Sequence, residues 1–297
     1  MTFTHKTSWS GGLTQWTVGN TTYISVVFTW MLLEARKRAV FERSLGFDVI
    51  MGGPALFRPD MKAVIQDVAT IQKDFPDALA FHNSKATIAS RGCPVGCAFC
   101  IVPAMEGRDF TFLPDFPVRP ILCDNNLSAL PLEYQDHIIK RYQSTGVPLL
   151  DANSGFEPLT FNEEVFQKWR VINRGPWRFA YDETKERLDV LRVMRMLKDV
   201  PRRNKRVYVL VGNEPFQACM ERIKEVIAND CEPHVQPLIR LNALERIPTV
   251  QFDWTLQKLR DVARWSNGWV WKKVPFEQYD RHLKSADIKR RLVITLA

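Results

Sequence analysis

Short apolar segments alternate with amphipathic stretches over residues 85–241, and most of the apolar segments end in a polar or glycine-containing turn. Together these predict an α/β fold: a partial (β/α)6 TIM-like barrel with a small N-terminal α/β unit and a short C-terminal extension. The chain is long enough for this, with 297 residues, and its composition is that of an ordinary globular protein, 45% hydrophobic and 25% charged. The boundaries expected from the pattern are 1–82, 83–242 and 243–297.

In chain order, residues 21–33 are rich in β-branched and aromatic side chains, 32–45 have helical composition, and 46–54 read as a strand ending in Gly52-Gly53-Pro54. Met61, Val64, Ile65, Val68 and Ile71 then form a helical stripe over 60–75. The six strands of the barrel are expected at 86–89, 120–123, 148–152, 178–181, 206–211 and 234–239. Helices are expected at 131–143, 162–171, 183–198 and 215–228, with Thr160 and Glu163 as a capping box and Gly146 just past a helix end. After residue 241 the alternation stops. A helix is expected at 255–265, and Trp265, Trp269 and Trp271 then read as residues that pack a terminal element onto the core.

Chemistry concentrates between the first two barrel strands. Cys93, Cys97 and Cys100 stand at spacings of four and three, with Gly96 and Phe99 between them. Three thiolates on one short turn can ligate a single zinc or iron-sulfur centre, and they leave one position of a 4Fe-4S cluster open. The nearest further donors, His82 and Cys123, lie outside the loop. Cys123, Cys219 and Cys231 are too dispersed for a second cluster and read as single thiols; six cysteines in a chain of this size do not make a disulfide scaffold, and the tight cluster reads as reduced ligands in a cytoplasmic setting. In parallel α/β architectures ligands gather at the carboxyl ends of strands. That rule selects Asp124, Asn125 and Asn126 after the second strand, Asn153 to Glu157 after the third, Asp182 and Glu183 after the fourth, and Gly212 to Glu214 after the fifth. Asp and Asn at such places also serve as ordinary turn and cap residues.

The stretch from Ala86 through Ser90-Arg91-Gly92-Cys93-Pro94-Val95-Gly96-Cys97-Ala98-Phe99-Cys100 to Pro103 resembles the cluster-binding segment of radical S-adenosylmethionine (radical SAM) enzymes. The resemblance implies a 4Fe-4S cluster on Cys93, Cys97 and Cys100, with S-adenosylmethionine on its open iron and Phe99 against the adenine. Asp124, Asn125, Asn126, Asn153, Asp182 and Gly212 become candidates for holding that nucleoside. Cys123 and Tyr181 become candidates for hydrogen transfer, and Glu157 for substrate contact. A one-electron donor of the flavodoxin or ferredoxin type is implied, and the substrate stays unidentified. The first eighty residues resemble, in part, the cobalamin-binding domain of one branch of this family. The Asp-x-His-x-x-Gly signature is absent, so a truncated unit without cobalamin is expected. The fifth-strand segment departs from the family's commoner glycine-rich form at Tyr208 and Pro215.

The net charge of +8 permits a polyanionic partner. The basic runs 201–206 and 284–291 lack the interleaved aromatic residues of a stacking platform, so nucleic acid is not the favoured partner. The rival expectation from another class is a zinc or iron-sulfur nucleic-acid-binding module without radical chemistry. The polar start and the short apolar run at 23–33 give no expectation of a signal peptide or of a membrane span.

Overall fold

The computed structural model describes residues 8–73, 75 and 78–282. The basic run 284–291 lies outside the described residues. By its internal contacts the chain divides into two compact units: 1–155 with 164–175 and 239–247, and 156–163 with 176–238 and 248–297.

The first unit begins with a four-stranded sheet of order β1 (Leu13–Val18), β2 (Thr21–Val26), β3 (Asp48–Gly52) and β4 (Thr70–Ile71). β1 and β2 form an antiparallel hairpin, Leu13 facing Val26, and the remaining pairs are parallel. Gly19 and Asn20 make its turn, with Gly19 at φ 58 where a side chain would be strained. Helix α1 (Leu32–Ser44) turns Leu32, Ala35 and Ala39 onto Ile24, Val26 and Met51 in a core closed by Ile65 and Val68. The helix expected over 60–75 is confined to α2 (Pro59–Ala63), followed by loose turns to residue 69. Val64, Ile65, Val68, Thr70 and Ile71 are β-branched, which disfavours continued winding and suits the strand that follows. The apolar stripe still reaches the core, because Met61, Ile65 and Val68 are buried.

After α3 (Ala78–His82) come β5 (Ala86–Thr87), β6 (Ser90–Arg91), α4 (Val102–Met105), β7 (Thr111–Phe112), β8 (Ile121–Leu122), α5 (Leu132–Thr145), β9 (Asp151–Ala152) and α6 (Glu163–Trp169). β5, β8 and β9 form a parallel sheet in that order, and β6 pairs antiparallel with β7. Helix α5 ends on Gly146 in the left-handed region, φ 67, as its position in the sequence suggests. Its buried Gln135 accepts from the Trp169 indole at 2.8 Å and donates to the Leu130 carbonyl at 2.7 Å, which ties α6 to α5.

The second unit holds β10 (Trp177–Ala180), α7 (Arg187–Met196), β11 (Lys205–Val211), α8 (Phe216–Ala228), β12 (Glu232–Pro237) and α9 (Leu256–Asn267). The three strands are parallel in the order β10-β11-β12. Their inward side chains Val207, Val209, Val211 and Val235 pack against Ile223, Val226, Leu259 and Val262 of the helices. Thr255 caps α9 by accepting from Lys258 N–H. Trp265 is buried here and Trp271 packs partly buried against the same core, while Trp269 is half exposed, so the first and third pack the terminal element as expected.

The protein is therefore mixed α/β with several small sheets, and among the described residues no sheet closes into a barrel. None of the helices among those residues is long and apolar enough to cross a membrane.

Candidate functional site

The cysteine loop is the connection of a β-hairpin, because β6 and β7 pair directly before and after it, Ser90 with Phe112 and Arg91 with Thr111. Two glycines shape it. Gly92 has φ +88, and a Cβ there would sit 2.1 Å from the Asp109 carbonyl oxygen; Gly96 has φ +68 beside the Arg108 guanidinium. The Cys93 N–H donates to Gly107 O at 3.3 Å, drawing the two ends together, and the Cys100 N–H donates to Cys97 O at 3.0 Å. Cys93, Cys97 and Cys100 are in no disulfide, and like Phe99 they are half-buried. N–H donors already point at two of the sulfurs: Val102 N–H to Cys100 Sγ at 3.4 Å and Asn126 Nδ2 to Cys93 Sγ at 3.7 Å.

Glu106, which no sequence pattern singles out, is the hub of this loop. Its carboxylate accepts from Arg91 Nη1 at 2.8 Å, Gly92 N–H at 3.0 Å and Asn125 Nδ2 at 2.6 Å. It thus joins the residue before Cys93, the end of α4 and the turn after β8. Asn125 Nδ2 also donates to Gly92 O at 3.3 Å. Asp124 is buried, accepting from Ala89 N–H at 2.8 Å and from the Ser90 hydroxyl at 2.5 Å. Burial pushes its carboxyl up to about 6 despite those donors. Asn126 Oδ1 accepts from Ser128 Oγ and Ala129 N–H. All three residues of the Asp124-Asn125-Asn126 turn therefore act on the hairpin and loop that carry the cysteines. That role is distinct from the nucleoside contact the resemblance implies.

Cys123 follows β8, its N–H bonded to Thr87 O and its thiol bonded to the Asn153 side chain. Burial, and secondly the charge of Asp151, push the thiol up to about 12, so it stays protonated. Asn153 is positioned by its own N–H, which donates to Leu122 O at 2.8 Å.

The other candidates belong to the second unit. Tyr181 lies in the core, 1% exposed, and its hydroxyl donates to Glu225 Oε2 at 2.8 Å. The phenol is thereby committed to holding α8. Asp182 is half-buried, with its carboxyl pushed up to about 7 by burial and then by Glu186. Glu186 accepts from the N–H groups of Asp182 and Glu183. Glu157 is raised by the same cause, burial first. Gly212 turns the chain after β11 at φ +91, and its carbonyl accepts from Gln251 Nε2 at 2.6 Å. Arg222, unmarked in the sequence, is 1% exposed and stitches the strand ends, donating to the carbonyls of Tyr181 and Leu210 and pairing with Glu214 at 3.0 Å.

The thiols suit an iron-sulfur centre in kind and number, being three on one loop with amide donors aimed at two of them. Among the described residues, however, no group of three His, Cys, Asp or Glu side chains is arranged to hold a metal ion, so ligation requires the three thiols to turn toward one another. No protein-family model matches the chain, and no curated protein matches it.

Proposed function

We propose that the chain is a radical SAM enzyme whose 4Fe-4S cluster is held by Cys93, Cys97 and Cys100. The observation that carries this reading is the C-x3-C-x-F-C loop, pinned at its base by Glu106 and by the turn after β8. In this reading the two parallel sheets β5-β8-β9 and β10-β11-β12 supply the six strands of a partial (β/α)6 barrel. Held by Cys93, Cys97 and Cys100, the cluster would supply the one-electron reduction by which S-adenosylmethionine gives methionine and a 5′-deoxyadenosyl radical.

The chain's own residues orient and shield. Glu106 and Asn125 fix the entry of the loop, Asp124 fixes the β5–β6 turn, and the amide donors from Val102 and Asn126 orient the sulfurs of Cys100 and Cys93. Phe99 and Asn153 are the remaining candidates for contacting the nucleoside, together with Asp182 and Gly212. Cys123, a protonated thiol, is the candidate for returning a hydrogen atom. An external donor of the flavodoxin or ferredoxin type completes the proposal, and cobalamin has no part in it.

Anaerobic reconstitution with iron and sulfide, then dithionite and S-adenosylmethionine, tests it by chromatography for 5′-deoxyadenosine. The expected result is nucleoside from the wild type and none from Cys97→Ala. Zinc copurifying with a chain that binds no iron would overturn the reading in favour of a zinc-binding, nucleic-acid-recognising module.

A further inference from the structure

Strand alternation gives the β10-β11-β12 sheet two unlike faces. One is the valine-rich core face. The other carries Arg178, Arg206, Tyr208 and His234, with Arg178 beside Arg206 and Tyr208 beside His234 in the register. The Tyr208 and His234 rings meet edge to face with centroids 5.0 Å apart, and the Arg178 guanidinium lies 5.9 Å from the Tyr208 ring centre.

The hydrogen-bonding balance of this face is one-sided. Arg178 donates to the Tyr208 hydroxyl, which leaves the hydroxyl's own proton directed at no acceptor among the described residues. His234 and the Arg206 guanidinium make no side-chain hydrogen bond among those residues. Arg206 meets Glu232 at 3.7 Å, beyond hydrogen-bond length, and Glu232 is drawn closer to Lys272 at 3.2 Å. Three donor-bearing side chains thus share one half-buried sheet face, with the Arg206 side chain still 30% exposed and reachable. Burial, and then the two arginines, lower the pKa of His234, so it adds an N–H donor without adding charge.

We propose that this face binds the phosphate monoester group of a small-molecule substrate, with Arg206 and His234 as principal contacts and the Tyr208 hydroxyl as a third donor. The Arg206 guanidinium, the His234 ring N–H and the Tyr208 hydroxyl, donors from two adjacent strands, suit the several oxygens of a phosphate monoester. A carboxylate carries one charge and is satisfied by a single guanidinium fork. The proposal does not rest on the cluster reading, since the residues involved are in place without any iron, so either can fail alone.

Calorimetric titration of the full chain with phenyl phosphate, and with acetate at matched ionic strength, tests it. The expected result is saturable phenyl phosphate binding, weakened by about tenfold in Arg206→Gln and several-fold in His234→Gln. The exposed-site control Arg170→Gln should bind as the wild type does. Should Arg206→Gln fail to fold, His234→Gln and the acetate comparison decide. Absence of saturable binding, acetate binding as tightly as phenyl phosphate, or undiminished binding in the folded variants would each overturn the proposal.

Discussion

Single side chains set how firmly the cysteine loop is held. Glu106 is largely buried and accepts three donors, so Glu106→Ala strands the Gly92 N–H and the Asn125 amide. Each buried donor left unmet costs about 1–3 kcal/mol. The variant should unfold at lower denaturant by roughly that amount, and its iron content after reconstitution should fall with it. Asp124 makes a different kind of contribution. Its folded pKa of about 6 lies above the ordinary carboxyl value of 3.8, so the native state holds the proton more tightly than the unfolded chain. Its contribution to stability is then fully present below about pH 4, declines as pH rises to about 6, and is flat beyond. Asp124→Asn should remove that slope, a difference of up to about 3 kcal/mol between the two profiles. Denaturant midpoints at pH 4.5, 5.5 and 7 measure it; parallel profiles would show that Asp124 is not the titrating group. The cysteines and the Asp124 turn were legible in the sequence because each lies in a local pattern. Glu106 and Arg222 were not, since their partners come from distant segments and neither has a distinctive neighbour.

The loop depends on its hairpin as an element. Gly92 takes a backbone conformation that costs an L-residue about 1–2 kcal/mol, and an added Cβ would also strike the Asp109 carbonyl. Gly92→Ala should therefore be more destabilising than that figure and should abolish cluster loading while Cys93, Cys97 and Cys100 remain. Circular dichroism melting beside iron analysis separates the two effects, and normal loading would mean the hairpin is not needed. Neither β6 nor β7 was foreseen, because two-residue strands carry no readable alternation. β1 was missed although Gly19-Asn20, set between Leu13–Val18 and Thr21–Val26, is a recognisable hairpin turn. The parallel strands between residues 85 and 241 were located to within a few residues, since β11 and its neighbours are apolar runs bounded by polar turns. The helix over 60–75 failed for the opposite reason: its apolar spacing was right, but its β-branched residues wound only loosely.

On the scale of the whole molecule, the expected barrel segment 83–242 is shared between two contact-defined units, a division that no composition shift in the sequence announces. Charge is the other global property. The excess of +8 favours non-specific attraction to polyanions, yet the described basic run is largely spent internally. Arg202 pairs with Asp230 at 2.7 Å and lies 5.4 Å from the Trp271 ring centre, the 1% exposed Lys205 reaches the same carboxylate at 3.4 Å, and Arg206 is half-buried, 3.7 Å from Glu232. Arg203 alone of these is exposed. A basic run with a single exposed cation should give weak polyanion binding governed by counterion release. Binding of a 20-nucleotide single-stranded RNA should therefore be detectable only near 50 mM salt and lost by about 200 mM. Fluorescence anisotropy across that range checks it, with Arg203→Ala changing the affinity by less than about threefold. Retention of tight binding at 200 mM would instead mean that the chain has a dedicated nucleic-acid surface, and the zinc or iron-sulfur nucleic-acid reading of the cysteine loop would then regain its weight.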